Sequence, residues 1–288
     1  MKITVGVPVY NGASHLAESL ACLERQTRGD FKVLVFDNRS TDETPAIVRA
    51  FCDRDPRFTY FRQAENRGPA RNFADVLDAA DTPYFMWRAH DDLSSDDFIE
   101  KTAAVLDRDE GLALAASRVV SEKIMPDGTI ARTREIPFRL ARKSGRVSNI
   151  TANLGVMHQS WFYGLWRRAA IHDIWHRIYG AYPYAWASDF LMIYAALVGG
   201  GIGGTDAAVF RQRIFAKPSQ HASQAAPRDA ADLKTRRDLF AHLCRAEAGF
   251  DALPALDRLR LGLAIDRFTS DRVGSRQKLL KLRLKAQR

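Results

Sequence analysis

In the stretch Tyr84–Asp92, YFMWRAHDD, an aromatic, strand-like run stops on two adjacent carboxylates, Asp91 and Asp92. A buried strand has no use for two anions at its end unless something positive meets them there. Hard divalent cations take carboxylate oxygens, and in open α/β sheets ligands gather at the carboxyl ends of the strands. The pair therefore reads as a metal–phosphate site, or as a solvated turn capping the helix that SSDDFIEKTAAVL would form. Two more strand ends carry distinctive groups. Pro8–Tyr10 closes the first apolar run and Asp37 the second. Tyr10 offers an aromatic face to a nucleobase, or packs. Asp37 can accept hydrogen bonds from a base or ribose, or cap its own turn. Gly68 would let backbone approach a ligand closely, and Arg67 or Arg71 could balance phosphate charge or stand solvated on a helix.

The elements that must position these groups follow from periodicity. TVGVPVYN (4–11) begins as a β-rich run, after which Leu16, Leu20 and Leu23 recur at helical spacing. FKVLVFD (31–37) is dense enough to be buried on both faces. NRSTDETP then gives turn residues, acids and Pro45, the signs of a helix start, with Ile47, Val48 and Phe51 on its inner face. Further strands are expected at 58–61, at TPYFMWRA, at 112–117 and at 207–215, with helices over 69–80 and 188–197. MPDGTI reads as a hairpin turn, residues 148–175 are left unassigned, and residues 228–288 read as helical, broken near Pro254 and Gly274. Strands alternating with helices predict a mostly parallel α/β sheet. If parallel, the three strand ends share one edge.

Composition narrows the class. The chain has 288 residues, 46% hydrophobic and 27% charged, as in ordinary globular proteins. Cys22, Cys52 and Cys244 lack metal-ligand spacing and read as free thiols suited to a reducing compartment. No basic leader precedes the strand beginning near Ile3, so a cytoplasmic location is expected. The net charge of +9 is concentrated at the end of the chain. There Lys278, Lys281, Lys285 and Arg288 form one helical stripe, and Leu280 and Leu284 another. Such a helix suits either an anionic membrane face or packing on the domain. Nucleic acid is not an expected partner, because no recognised module accompanies the charge.

VGVPVYNGASHLAESLACLERQT, VLVFDNRSTDET, NRGPARNFADVLDAA and YFMWRAHDDL resemble, in order and spacing, the family-2 glycosyltransferases of the GT-A fold. The resemblance covers roughly residues 1–117 and continues more weakly to about residue 215. It implies a nucleotide-sugar half over 1–117 and an acceptor and catalytic half over 118–220, which leaves 221–288 as a basic helical extension. It implies that Pro8, Tyr10, Asp37, Gly68, Arg71 and Asp91 bind the nucleotide. Asp92, with Asp91, would hold Mg²⁺ or Mn²⁺, and Asp189 in ASDFLMIYAALVGG would be the catalytic base. It places His158 and Trp161 near an acceptor, and Arg211 and Arg213 near the pyrophosphate. His90, Ser188 and Arg213 depart from the family pattern, standing where a small or acidic residue, Glu and His are usual. The implied donor is a nucleotide-diphospho-sugar, UDP-sugar favoured, and the implied acceptor a saccharide or lipid-linked hydroxyl in cell-surface polysaccharide or lipopolysaccharide synthesis. The enzyme would work in the cytoplasm, peripherally on the inner membrane face. Two rivals are a non-catalytic nucleotide-sugar-binding protein and a sugar-phosphate nucleotidyltransferase. VPVYNGASHL lacks the Gly-rich, Arg-Lys loop that the second would need.

Overall fold

A computed structural model describes residues 1–216, 226–275, 277 and 279. The chain falls into two units. The first comprises Met1–Phe138, Ser160–His172 and Ile202–Lys217, the second Arg139–Gln159, Asp173–Gly201 and Pro218–Arg288.

The sheet lies in the first unit. Its strands are β1 (Ile3–Val9), β2 (Phe31–Asp37), β3 (Phe58–Arg62), β4 (Tyr84–Trp87), β5 (Leu93–Ser94), β6 (Leu114–Ile124), β7 (Ile130–Ile136), β8 (Leu165–Arg167) and β9 (Ile202–Phe215). They are ordered β3-β2-β1-β4-β8-β6-β9-β5, with β7 hairpinned on β6. The pairs β1–β2, β1–β4, β2–β3 and β6–β9 are parallel, while β8 and β5 pair antiparallel. The expected mostly parallel α/β sheet is therefore present. Connections are made by α1 (Ala13–Glu24), α2 (Thr44–Arg54), α3 (Pro69–Asp78) and α4 (Phe98–Arg108).

All seven residues of β1 are buried, as befits a central parallel strand covered on both faces. A Cβ at Gly6 would come within 2.9 Å of Val76 on α3 and of the Phe85 ring, so glycine there permits close packing of α3 and β4 on β1. Leu16, Leu20 and Leu23 are buried on α1, and Val48 and Phe51 on α2, at the spacing the sequence predicts. Trp87 closes β4 in the core, stacked on Phe162 at 4.6 Å and edge-on to Phe85 at 4.8 Å, with its Nε1–H donating to the Phe73 carbonyl at 3.2 Å.

β9 starts at Ile202, five residues before the expected Ala207. Glycines hid that start. A Cβ at Gly203 would meet Leu112 at 2.4 Å, and one at Gly204 would meet the Phe138 ring at 2.5 Å. The close approach needs glycine, and glycine lowers the apparent strand propensity.

The second unit is helical: α5 (Arg146–Asn153), α6 (Arg168–Ala181) from Asp173 onward, α7 (Ser188–Gly199), α8 (Ala230–Glu247) and α9 (Ala255–Arg272). Phe240 and Phe190 pack on Phe268 at 5.5 and 6.0 Å, and the Tyr194 hydroxyl donates to the Cys244 carbonyl at 2.9 Å. The three cysteines are free thiols. The basic stripe Lys278–Arg288 lies outside the described residues. Among those described, no helix is long and apolar enough to cross a membrane.

Trp87→Ala should lower unfolding stability by roughly 3–5 kcal/mol through the cavity it leaves, measured by urea denaturation of both proteins. A loss below about 1 kcal/mol would mean that the aromatic layer does not hold β4 in place.

Candidate active site

Parallel register sets the geometry of the sheet edge. Val9 pairs with Asp37, and Gly6 with Trp87, so β1, β2 and β4 end on one edge carrying Tyr10, Asp37 and, just beyond, Asp91 and Asp92. Pro8 lies within β1 opposite Phe36, and Tyr10 is half-buried at its end.

The turns behind β1 and β2 are tied by hydrogen bonds. Asn11 N–H donates to Ser40 Oγ at 2.9 Å, and Thr41 N–H to Asn11 Oδ1 at 2.8 Å. Gly12 N–H donates to Thr44 Oγ1 at 2.9 Å and Ala13 N–H to Asp42 Oδ2 at 3.0 Å. Asn38, Asn66 and the start of α3 form a second network: Asn38 Nδ2 donates to Asn66 Oδ1 at 2.8 Å, and Arg67 N–H to Asn38 Oδ1 at 2.8 Å. Gly68 adopts φ +80°, a left-handed conformation that explains glycine there.

Asp37 is fully buried. Ser40 N–H donates to its Oδ1 at 2.7 Å, Tyr60 hydroxyl donates to its Oδ2 at 2.6 Å, and the Arg62 Nε lies 3.6 Å away. Burial and this carboxylate hold the Tyr60 phenol well above its usual range. Asp37 thus acts as an acceptor whose donors already come from the protein. Tyr60 and Arg62 were not among the sequence candidates; their outward place on an edge strand gave no signal. Arg71 and Arg67 both reach Asp75, at 2.8 and 2.7 Å, so their charges are shared with that carboxylate.

At the end of β4, Asp92 is buried and Asp91 half-buried. Loss of water, then the neighbouring Asp91 charge, pushes the Asp92 carboxyl above its ordinary value. Arg213 N–H donates to Asp92 Oδ1 at 2.8 Å, Arg213 Nε–H donates to the Asp91 carbonyl, and Arg213 Nη1–H donates to Glu18 on α1. Behind the pair, Arg88 is fully buried between Phe98 and Phe210, at 5.7 and 5.6 Å from their ring centres, and donates to Ser94 Oγ at 2.7 Å. The only sequence signal for Arg88 was a charge inside an otherwise apolar run. Two adjacent carboxylates, one desolvated and raised, suit a hard divalent cation that would restore the ionised form. His90 packs over the β1–α1 turn, where a Cβ on Gly12 would meet its ring at 2.9 Å.

Arg211 pairs with Glu122. Trp161 is buried, its ring 5.1 Å from that of Phe138, so its faces are taken up by packing. In the second unit His158 is half-buried, and Asp189 opens α7. Part of the Asp189 residue reaches solvent, but atoms crowd its carboxyl. Burial raises that carboxyl to about 6 against the lowering effects of the Phe190 N–H bond and Arg272.

Among the described residues, three that are not glycine have positive φ: Asn11 at 50°, Arg39 at 67° and Ala187 at 65°. Each lies within two residues of a candidate group, namely Tyr10, Asp37 and Asp189. Left-handed backbone in such residues costs on the order of 1–3 kcal/mol and concentrates at functional sites.

The family model described as Glycosyl transferase family 2 matches residues 4–175, more than half of the chain. The chain belongs to glycosyl transferase family 2. It is 36% identical over 101 residues to an uncharacterized glycosyltransferase of Rickettsia conorii, a match spanning 34% of this chain and only 16% of that protein. The crystal structure of S. aureus TarS 1–349 in complex with UDP-GlcNAc superposes with a TM-score of 0.56 at 19% identity, covering 98% of this chain and 84% of that one. The mannosyltransferase PcManGT from Pyrobaculum calidifontis, in complex with GDP-Man and Mn²⁺, gives 0.57 at 18% identity over 99% and 75% of the two chains. These likenesses establish the GT-A fold. In this family 2 member, the departure at Arg213 has a structural consequence, because its guanidinium binds the Asp91 backbone and Glu18.

Tyr60→Phe removes one donor from buried Asp37 and should cost about 1–3 kcal/mol of stability, read by chemical denaturation. An unchanged midpoint would mean that Arg62 and Ser40 alone satisfy the carboxylate.

Proposed function

We propose that this family 2 member is an inverting, metal-dependent glycosyltransferase that moves one sugar from a nucleotide diphosphate donor to a hydroxyl acceptor. One observation carries the reading: parallel register aligns three strand ends, and that edge bears Tyr10, Asp37 and the Asp91–Asp92 pair. Such an edge is where open α/β sheets take ligands.

Tyr10 gives the base an aromatic face, and Asp37, oriented by Tyr60 and Ser40 with carboxylate lone pairs beyond the two they use, favours bases that present an N–H. Uracil, thymine and guanine do so. A UDP-sugar is the favoured donor, in keeping with the UDP-GlcNAc complex of TarS. A Mg²⁺ or Mn²⁺ ion held by Asp91 and Asp92 would neutralise charge on the departing diphosphate. Arg213 supplies a fixed cation beside the same pair, while the charge of Arg211, proposed as a further pyrophosphate contact, is shared with Glu122.

Asp189 is the base. Its carboxylate takes the proton of the acceptor hydroxyl while that oxygen bonds to the anomeric carbon, and the bond from that carbon to the diphosphate oxygen breaks. A base raised to about 6 is ionised at neutral pH, yet accepts a proton more readily than an ordinary aspartate. The acceptor is a saccharide or lipid-linked hydroxyl, and the setting is cell-surface polysaccharide or lipopolysaccharide assembly.

Release of nucleoside diphosphate from a panel of UDP-, GDP-, dTDP- and CDP-sugars, with Mn²⁺ and crude lipid-linked or saccharide acceptors, tests this reading. One donor should turn over, and Asp189→Asn should cut its rate by at least about a hundredfold. Wild-type rate should fall about tenfold per pH unit below pH 6, where the base becomes protonated. The folded carboxyl lies above its unfolded value, so holding it ionised costs stability above pH 6. Asp189→Asn should therefore be no less stable than wild type at pH 8. A stable Asp189→Asn protein with full turnover would remove Asp189 from the chemistry.

A further inference from the structure

Arg213 stands where the family pattern has histidine, and its side chain is only 10% exposed. Three contacts fix it. The backbone N–H donates to Asp92, Nε–H donates to the Asp91 carbonyl, and the guanidinium lies 5.8 Å from the centre of the Phe215 ring. Phe215 is itself stacked on His15 at 4.2 Å. The guanidinium would keep this orientation if its fourth partner left. That partner is Glu18, paired with Nη1 and 64% exposed. Nη2 is buried and has no acceptor among the described residues. A preoriented cation with spare donor capacity, neutralised by one solvated carboxylate beside two further carboxylates, is an anion site with an anion of its own already in place.

We infer that Glu18 is the internal stand-in for a donor phosphate: the diphosphate takes Arg213 from Glu18, and Glu18 swings into water. This rests on the reading of Arg213 as a diphosphate contact and assigns Glu18 a role in setting donor affinity. Glu18 is largely hydrated when paired, so releasing it costs little. Arg213 is largely dehydrated, so its pairing with a phosphate bearing more charge than a carboxylate is favoured. Arginine can also take two phosphate oxygens side by side, which histidine cannot. The site therefore holds diphosphate without a divalent ion, while the ion at Asp91–Asp92 adds to that affinity.

The test is calorimetric titration with inorganic pyrophosphate and with UDP, in chelator at low salt, on the full chain. Glu18→Gln should bind both probes roughly two- to fivefold more tightly, the range expected for losing an exposed competing ion pair. The gain should shrink in high salt. Arg213→Met should weaken both probes at least tenfold, Arg213→Lys less, and Glu18→Gln should add nothing in the Arg213→Met background. Unchanged affinity in Glu18→Gln, with Arg213→Met weakened, would overturn the role of Glu18 and leave the diphosphate contact standing. Unchanged affinity in Arg213→Met, or no binding of either probe by wild type, would overturn the diphosphate contact itself. Glu18 is exposed, so its variant folds and decides the matter even if Arg213→Met does not.

Discussion

The structure is organised around a desolvated carboxylate pair at the end of a buried strand. β4 runs through the core as Tyr84–Trp87, all buried, and within five residues the chain presents Asp91 and Asp92. Asp92 is buried there, and loss of water raises its carboxyl above the ordinary value. Compensation comes from elsewhere in the chain. Arg88 lies beneath, and β9 brings Arg213 because β5 pairs antiparallel with it, Leu93 against Arg211. That two-residue strand has no core of its own, so its main structural result is to bring a guanidinium to a carboxylate pair.

The surrounding elements bear out this division of labour. The parallel strands are set by burial and by close packing at Gly6, and they would form in any doubly covered sheet. The turns at their ends are set by polar side chains instead: Asn11, Ser40, Asp42, Asn38 and Asn66 accept from the backbone N–H groups of Thr41, Asn11, Ala13, Arg67 and Gly68 that regular structure leaves open. Left-handed backbone in non-glycine residues falls at these turns and before Asp189, and at no described strand residue. A scaffold that can hold such conformations allows the edge to be preorganised.

Much of this was legible in the residues. FKVLVFD is β2 to the residue, because a short apolar run between turn formers has one way to be buried. The strand-end carboxylates were visible because charge interrupts that pattern. Elements built by tertiary contact were not legible. β8 is three residues long and exists only by pairing with β4 and β6. The first residues of β9 are glycines and small residues that fit beneath Leu112 and Phe138. Tyr60, Arg62 and Glu18 gave no sign because their roles depend on partners 23, 25 and 195 positions away, respectively Asp37 for the first two and Arg213 for the third. Local patterns announce secondary structure and anomalous charge, and they are silent on who pairs with whom.

The central claim is that the edge formed by Asp37, Asp91 and Asp92 holds a nucleoside diphosphate with a metal ion. Thermal unfolding with UDP, GDP, dTDP and CDP, each with and without Mn²⁺, tests it most directly, since a ligand that binds the folded state alone raises the midpoint. The account expects UDP with Mn²⁺ to give the largest rise, and Asp92→Ala to abolish the metal-dependent part. No rise with any nucleotide in well-folded protein, or an equal rise in Asp92→Ala, would contradict it.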